Sequence, residues 1–183
     1  MIQNVMGMRG EFLKQSGKKL AFLNKIVSKR TDFLILTETK THHSSLQNRK
    51  INKVLTPILY TTQQDSRGGV AIFSNSDWQL LEGSLRESSI KGHYIMGVMQ
   101  NNAGRRIIIA GIYGKPDNAD KESESILENL RISIHQLKFL YNTHEVFLGG
   151  DFNLHRKASD TYKNEIVKYR TADKMNFILE DLN

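Results

Sequence analysis

The sequence predicts an α/β domain, because helix-type and strand-type apolar patterns alternate along one chain. Leu20 and Leu23 recur at helical spacing between lysines, as in an amphipathic helix. The apolar runs over residues 33–36 and 146–148 have the length of buried strands. The chain has 183 residues, 39% of them hydrophobic and 25% charged, which is enough for one domain with a sizeable core.

The same patterns give the elements in chain order. Strands are predicted over residues 2–6, 32–37, 58–62, 78–81, 94–100 and 105–113. Residues 67–73 are predicted to be a turn that leads into a buried strand, and the first half of residues 145–153 to be a strand. Helices are predicted over about residues 16–30 and 121–141, and from about residue 172. The turn composition of Asn101 to Gly104 predicts that the two strands around it form a hairpin.

The charge of the chain favours a polyanionic partner. Lysine and arginine number 26 against 19 acidic residues, which gives a net charge of +7. Nucleic acid is favoured over an anionic membrane surface. No apolar run approaches the length of a membrane span, and the N-terminus lacks a secretory signal, so we expect an intracellular protein. Because the chain has no cysteine, any metal must be held by oxygen or imidazole.

Polar side chains stand where predicted strands end. Asn4 ends the first strand, Glu38 follows the second, and Asp151 and Asn153 follow the last; Tyr113 ends a strand between them. Sites in open α/β sheets tend to lie at such C-terminal strand ends. An aspartate there can accept a proton or bind a metal, and an asparagine can donate and accept hydrogen bonds. For a lone Gly-Asp-x-Asn segment, the alternative is an Asx-type turn that closes a strand.

Four motifs in this order resemble those of the endonuclease/exonuclease/phosphatase superfamily of metal-dependent phosphoesterases. They are Asn4 with Val5, Thr37 to Thr39, Ile112 to Gly114, and Gly150 to Asn153. The flanking residues are most similar to the apurinic-type endonuclease domains of non-LTR retrotransposons. Those flanking segments cover residues 4–10, 38–41, 67–73 and 112–116.

The resemblance implies a fold, a metal and a set of roles. The fold would be a two-sheet α/β sandwich of the DNase I-like type, with mostly antiparallel or mixed strands. Glu38 and Asn4 would hold Mg²⁺, with Mn²⁺ as an alternative. Asp151 would orient or activate the attacking water, Asn153 would bind the scissile phosphate, and Tyr113 would hydrogen-bond near it. The implied function is a DNA-nicking endonuclease of a retroelement, which would be nuclear in a eukaryote.

The sequence also departs from the superfamily. Its members close with an Arg/Ser-x-Asp strand motif and then a Ser-Asp-His motif, and neither follows Asn153. We therefore expect a single domain over residues 1–183 that lacks C-terminal strands, as a fragment or a shortened member. Losing one general acid–base partner costs about 10²- to 10⁴-fold in rate. Low or absent activity is therefore expected of this chain.

Two alternatives remain at this stage. The same fold could act on a phosphoinositide or a nucleotide instead of DNA. Alternatively, the chain could be a catalytically dead remnant that binds nucleic acid through basic residues such as Arg156 and Lys157. The sequence does not indicate an oligomeric state.

Overall fold

The structure is a computed structural model that describes residues 1–6, 17–28, 30–40, 46, 50–61, 68–88, 92–114 and 120–153. Its strands are β1 (Ile2–Asn4), β2 (Phe33–Thr37), β3 (Thr56–Tyr60), β4 (Val70–Ser74), β5 (Trp78–Leu80), β6 (Arg86–Glu87), β7 (Tyr94–Asn101), β8 (Arg106–Tyr113) and β9 (Val146–Asp151). Its helices are α1 (Lys18–Ile26) and α2 (Asp120–Tyr141). No helix in these described ranges is long and apolar enough to cross a membrane.

The strands form two mixed sheets. The first has the order β1-β2-β4-β3, with β1 and β2 parallel and the other pairs antiparallel. The second has the order β5-β7-β8-β9, with β6 paired to β7 and only the β8–β9 pair parallel. The predicted two-sheet α/β sandwich of the DNase I-like type is confirmed.

A helix covers the outer face of each sheet. Leu20 and Leu23 of α1 pack with Leu34 and Leu36 of β2, in a core on the outer side of the first sheet. The apolar stripe of α2 packs on the outer face of the second sheet, and its fully buried members are Leu130, Ile134 and Leu137. Central strands are thus buried on both faces, which explains why their sequences are continuous apolar runs rather than alternating ones.

Small side chains let the two sheets approach each other. A Cβ atom added to Gly111 of β8 would lie 2.6 Å from Val70 Cγ1 and 3.1 Å from Ile35 Cγ2 of the first sheet. A Cβ atom added to Gly149 of β9 would lie 2.9 Å from Ile2 Cγ1 and 3.3 Å from Ile35 Cδ1. Both glycines therefore face the inter-sheet layer and bring β8 and β9 close to β1 and β2.

The observed elements follow the predicted order, and two strands differ notably from the prediction. Strand β3 begins two residues before the predicted strand and includes Pro57, near which the pairing with β4 shifts register. An edge strand can accommodate proline, because it needs no N–H on its open side. Strand β6 was not predicted because its two residues, Arg86 and Glu87, carry no apolar pattern. The helix predicted from about residue 172 lies outside the described residues.

The N-terminal ends of the central strands surround an open hollow of about 400 Å³. Phe33 and Trp78 form a tilted aromatic pair there, with ring centroids 5.0 Å apart. The guanidinium of Arg105 is paired with the carboxylate of Glu145, so the charges at this end are compensated locally.

Candidate active site

The C-terminal ends of four strands meet at one edge of the sandwich. The parallel pair β1–β2 places Asn4 beside Thr37, and the parallel pair β8–β9 places Tyr113 beside Asp151. Because Gly111 and Gly149 face the first sheet, the alternation of side chains directs Tyr113 and Asp151 toward the same layer. Glu38 follows Thr37 directly. We refer to Glu38, Tyr113, Asp151 and Asn153 as the strand-end site.

A hydrogen bond joins the two sheets at this site. The hydroxyl of Tyr113 donates to Glu38 Oε1 at 3.2 Å. Glu38 has a positive φ of 53°, so the chain turns sharply as β2 ends. The next two backbone N–H groups, of Thr39 and Lys40, donate to the carbonyl oxygens of Gly69 and Gly68, each at 3.1 Å. These bonds fix the turn that presents the carboxylate of Glu38.

A second set of hydrogen bonds holds the carboxylate of Asp151. The backbone N–H of Asn153 donates to Asp151 Oδ1 at 3.1 Å, as in an Asx turn. Asn153 Nδ2 donates to the carbonyl oxygen of Gly114 at 2.7 Å. The backbone N–H of Gly114 donates to the backbone carbonyl oxygen of Asp151, also at 2.7 Å. The Asx turn considered as an alternative is therefore present, and it is part of the site.

The pKa of Tyr113 depends on the other three side chains of the strand-end site. Burial raises the pKa of Tyr113 to about 12, and the charge of Glu38, the hydrogen bond to it and the charge of Asp151 act in the same direction. A hydrogen bond with the side chain of Asn153 acts against them. At neutral pH the phenol is therefore protonated and can donate its hydrogen bond to Glu38.

We expect Tyr113 to titrate at about pH 12 in the folded protein. Its ordinary pKa is about 10, so its contribution to the free energy of unfolding should be complete below pH 10 and lost as the pH rises to about 12. NMR of ¹³C-labelled tyrosines can follow this titration, with the Tyr113→Phe variant assigning the signal. The stability difference between wild type and Tyr113→Phe should narrow over this interval, and an unchanged difference would contradict the assignment.

Comparison with known proteins agrees with this fold. A model of the endonuclease/exonuclease/phosphatase family matches residues 2–175. The chain belongs to this family. Its members include endonucleases, exonucleases and phosphatases, which hydrolyse phosphoester bonds. No curated protein sequence matched the chain.

Solved structures similar to the chain include three nucleases or related catalytic domains. A 3′-5′ exonuclease (NExo) from Neisseria meningitidis superposes with a TM-score of 0.63 and 19% identity, over 100% of this chain and 70% of that one. An AP endonuclease from Archaeoglobus fulgidus superposes with a TM-score of 0.59 and 16% identity, over 98% of this chain and 68% of that one. The human Nocturnin catalytic domain superposes with a TM-score of 0.57 and 16% identity, over 83% of this chain and 59% of that one. At these identities the likeness concerns the fold, and the chain spans 59% to 70% of these proteins.

The donor atoms at the strand-end site fit a hard divalent cation. Glu38 supplies a carboxylate, and Asp151, which acts on the same Tyr113 hydroxyl, supplies a second carboxylate. In the part of the chain that the structure describes, no group of three or more His, Cys, Asp or Glu side chains could hold a metal ion. Mg²⁺ is commonly bound by only one or two carboxylates, with water and substrate phosphate as the other ligands. The donor set therefore suits Mg²⁺ better than Zn²⁺.

The structure brings together the predicted site residues whose side chains it describes. Glu38, Tyr113, Asp151 and Asn153 gather at one edge of the sheets, as described above. Asn4 lies at the end of β1 beside Thr37, but its side chain is not among the described ones. Arg156 and Lys157 lie outside the described residues.

Two residues near the site were not predicted from the sequence. The ammonium group of Lys40 lies 3.7 Å from Glu38 Oε2, so it compensates part of that charge. His93 lies directly beside Tyr113. The pairing register of the β7–β8 hairpin could have identified His93. Tyr94 pairs with Ile112, so His93, the residue before Tyr94, must lie opposite Tyr113.

Proposed function

We propose that the protein is a divalent-metal-dependent phosphodiester hydrolase that nicks DNA. The main support is the convergence of Glu38, Tyr113 and Asp151, with the Tyr113 hydroxyl donating to Glu38 Oε1 at 3.2 Å. A net charge of +7 further supports a polyanionic substrate. Family membership supports phosphoester hydrolysis in general.

Each residue of the strand-end site has a role in this proposal. Glu38, together with Asn4, would hold Mg²⁺ or Mn²⁺, which when bound neutralises negative charge on the phosphate. Asp151 would orient the attacking water and take its proton. The protonated hydroxyl of Tyr113 would donate a hydrogen bond to a phosphate oxygen. The side chain of Asn153, which contacts the carbonyl oxygen of Gly114 and the hydroxyl of Tyr113, would bind the scissile phosphate.

The proposed test is incubation of the protein with supercoiled plasmid in the presence of Mg²⁺ or of a chelator. We expect relaxed circles to accumulate slowly, because this chain lacks the Ser-Asp-His motif, and only with the divalent cation, because phosphodiester hydrolysis needs the developing charge to be neutralised. Soluble phosphate esters and phosphoinositides should be hydrolysed more slowly. Faster hydrolysis of those esters without nicking would favour the phosphatase alternative. DNA binding without any hydrolysis would favour a nucleic-acid-binding remnant.

We further propose that the protein derives from a non-LTR retroelement, and that it is nuclear if the source is eukaryotic. The support is the similarity of residues 67–73 and 112–116 to the corresponding segments of retrotransposon endonucleases. Sequencing the surrounding reading frame tests this proposal. A reverse-transcriptase coding region in the same frame is expected, and its absence would remove the retroelement assignment.

A further inference from the structure

His93 is a buried histidine with two kinds of contact to Tyr113. Only 9% of its surface is exposed. Its Nδ1 atom lies 2.8 Å from the carbonyl oxygen of Tyr113, and its own carbonyl oxygen accepts the N–H of Tyr113 at 2.6 Å. The two rings are nearly parallel, with an interplanar angle of 12° and centroids 6.3 Å apart. Backbone and ring of Tyr113 are therefore both restrained by one residue.

The contact with the Tyr113 carbonyl fixes the tautomer of His93. A carbonyl oxygen can only accept a hydrogen bond, so Nδ1 must carry the proton. The imidazole therefore acts as a donor directed at the peptide group that joins Tyr113 to Gly114. That peptide group continues into the strand-end site, because the N–H of Gly114 donates to the carbonyl oxygen of Asp151.

Backbone hydrogen bonds continue from His93 to the turn at Glu38. The carbonyl oxygen of Gly92 accepts the N–H of Gly69 at 3.2 Å. The carbonyl oxygen of Gly69 in turn accepts the N–H of Thr39, next to Glu38. Gly92 and Gly69 have φ values of 87° and 99°, which favour glycine. We call residues 68–69 and 92–93 the clasp, since they join the turn of the first sheet to the end of β8.

We propose that His93 is a positioning residue, which through the clasp holds the hydroxyl of Tyr113 against the carboxylate of Glu38. His93 contacts Tyr113 rather than the reacting atoms, so its effect is indirect. The effect on hydrolysis rests on the proposed function, whereas the effect on Tyr113 does not. A displacement of about 1 Å at a reacting group can cost about 10²-fold in rate. If Tyr113 is held less firmly, the loss in rate should therefore be measurable.

A mere packing role makes a different prediction from a positioning role. If His93 only fills space, a residue of similar volume should replace it. If its donor matters, asparagine should replace it better than leucine, because the asparagine amide N–H reaches about the position of Nδ1. Glutamine places its amide about one bond farther out, near the position of Nε2, so it should replace His93 less well. His144, an exposed histidine before β9, provides a control.

The test compares His93→Asn, His93→Gln and His93→Leu with His144→Ala in the full 183-residue chain. For cleavage of a duplex oligonucleotide with Mg²⁺, we expect His93→Leu to lower kcat about 10- to 100-fold with little change in KM. His93→Asn should stay within about 3-fold of wild type, His93→Gln should fall between, and His144→Ala should match wild type. Wild-type kcat in a folded His93→Leu variant would overturn the proposal. If His93→Leu does not fold, equal activity of His93→Gln and His93→Asn would overturn it.

A second measurement needs no catalysis. The N–H of Tyr113 donates to the carbonyl oxygen of His93, and Nδ1 of His93 donates to the carbonyl oxygen of Tyr113. Amide hydrogen exchange of Tyr113 and Gly114 should therefore be about 10-fold or more faster in His93→Leu and change little in His93→Asn. If wild type cleaves nothing but the exchange is still faster in His93→Leu, the proposed function fails and the positioning role stands. Unchanged exchange in a folded His93→Leu variant overturns the positioning role whether or not the wild type is active.

Discussion

Replacing Glu38 with glutamine, or Asp151 with asparagine, should lower plasmid nicking about 10²- to 10⁴-fold while the protein stays folded. Glutamine keeps the oxygen that accepts the Tyr113 hydroxyl, and asparagine keeps the oxygen that accepts the N–H of Asn153. Each change therefore removes one negative charge and leaves these two hydrogen bonds in place. The loss in rate would come from weaker cation binding at residue 38 and from the missing proton acceptor at residue 151.

The matched control is Glu145→Gln, at the other end of the last strand. Glu145 pairs with Arg105 and lies beside the start of β9, while Asp151 ends that strand. Exposed ion pairs contribute about 0–1 kcal/mol, so this variant should nick at close to the wild-type rate. If the nicking rate of Glu145→Gln fell as much as that of Asp151→Asn, the loss of any carboxylate would impair the protein. Activity retained in both Glu38→Gln and Asp151→Asn would remove the strand-end site as the catalytic centre.

The Glu38→Gln variant has a second readout. Because the charge of Glu38 helps to raise the pKa of Tyr113, its removal should lower that pKa from about 12 toward the ordinary value of about 10. The tyrosine titration thus checks that Glu38 faces Tyr113 in solution, even if no nicking is observed.

Local patterns were sufficient to predict where most strands end. A continuous apolar run followed by a polar residue marks Glu38, and the same change of character marks Asp151. The hairpin between β7 and β8 followed from turn composition, which placed Tyr113 at the end of a strand. The order of these ends, compared with a known family, then suggested that they share one edge of a sandwich.

Contacts between distant segments could not be predicted in the same way. The side-chain amide of Asn153 binds the carbonyl of Gly114, 39 residues earlier, and no local pattern encodes that distance. Lys40 was indistinguishable from other surface lysines until the turn after β2 brought it to Glu38. The contact between His93 and Tyr113 could be predicted only from the pairing register of β7 with β8. The importance of His93 depends on that contact rather than on its neighbours in sequence.

Gly150 is expected to be among the least replaceable residues of the described fold. It has a φ of 151°, a conformation that L-residues with a side chain rarely adopt. A Cβ atom added there would lie 1.9 Å from the carbonyl oxygen of Ile112 and 2.8 Å from its carbonyl carbon. Ile112 and Gly150 are register partners in the parallel β8–β9 pair, so neither backbone can move without disturbing Tyr113 and Asp151, the next pair.

Gly150→Ala should therefore lower the free energy of unfolding by about 3 kcal/mol or more, because the added methyl group meets backbone rather than a flexible side chain. Gly104→Ala is the control, since Gly104 also has a positive φ, of 82°, but a Cβ atom there would meet nothing within 4 Å. That variant should lose only about 1 kcal/mol, the cost of the conformation alone. Urea denaturation of both variants measures the difference. Equal losses would show that β8 and β9 do not approach closely at Gly150, and the placement of Asp151 beside Tyr113 would then be wrong.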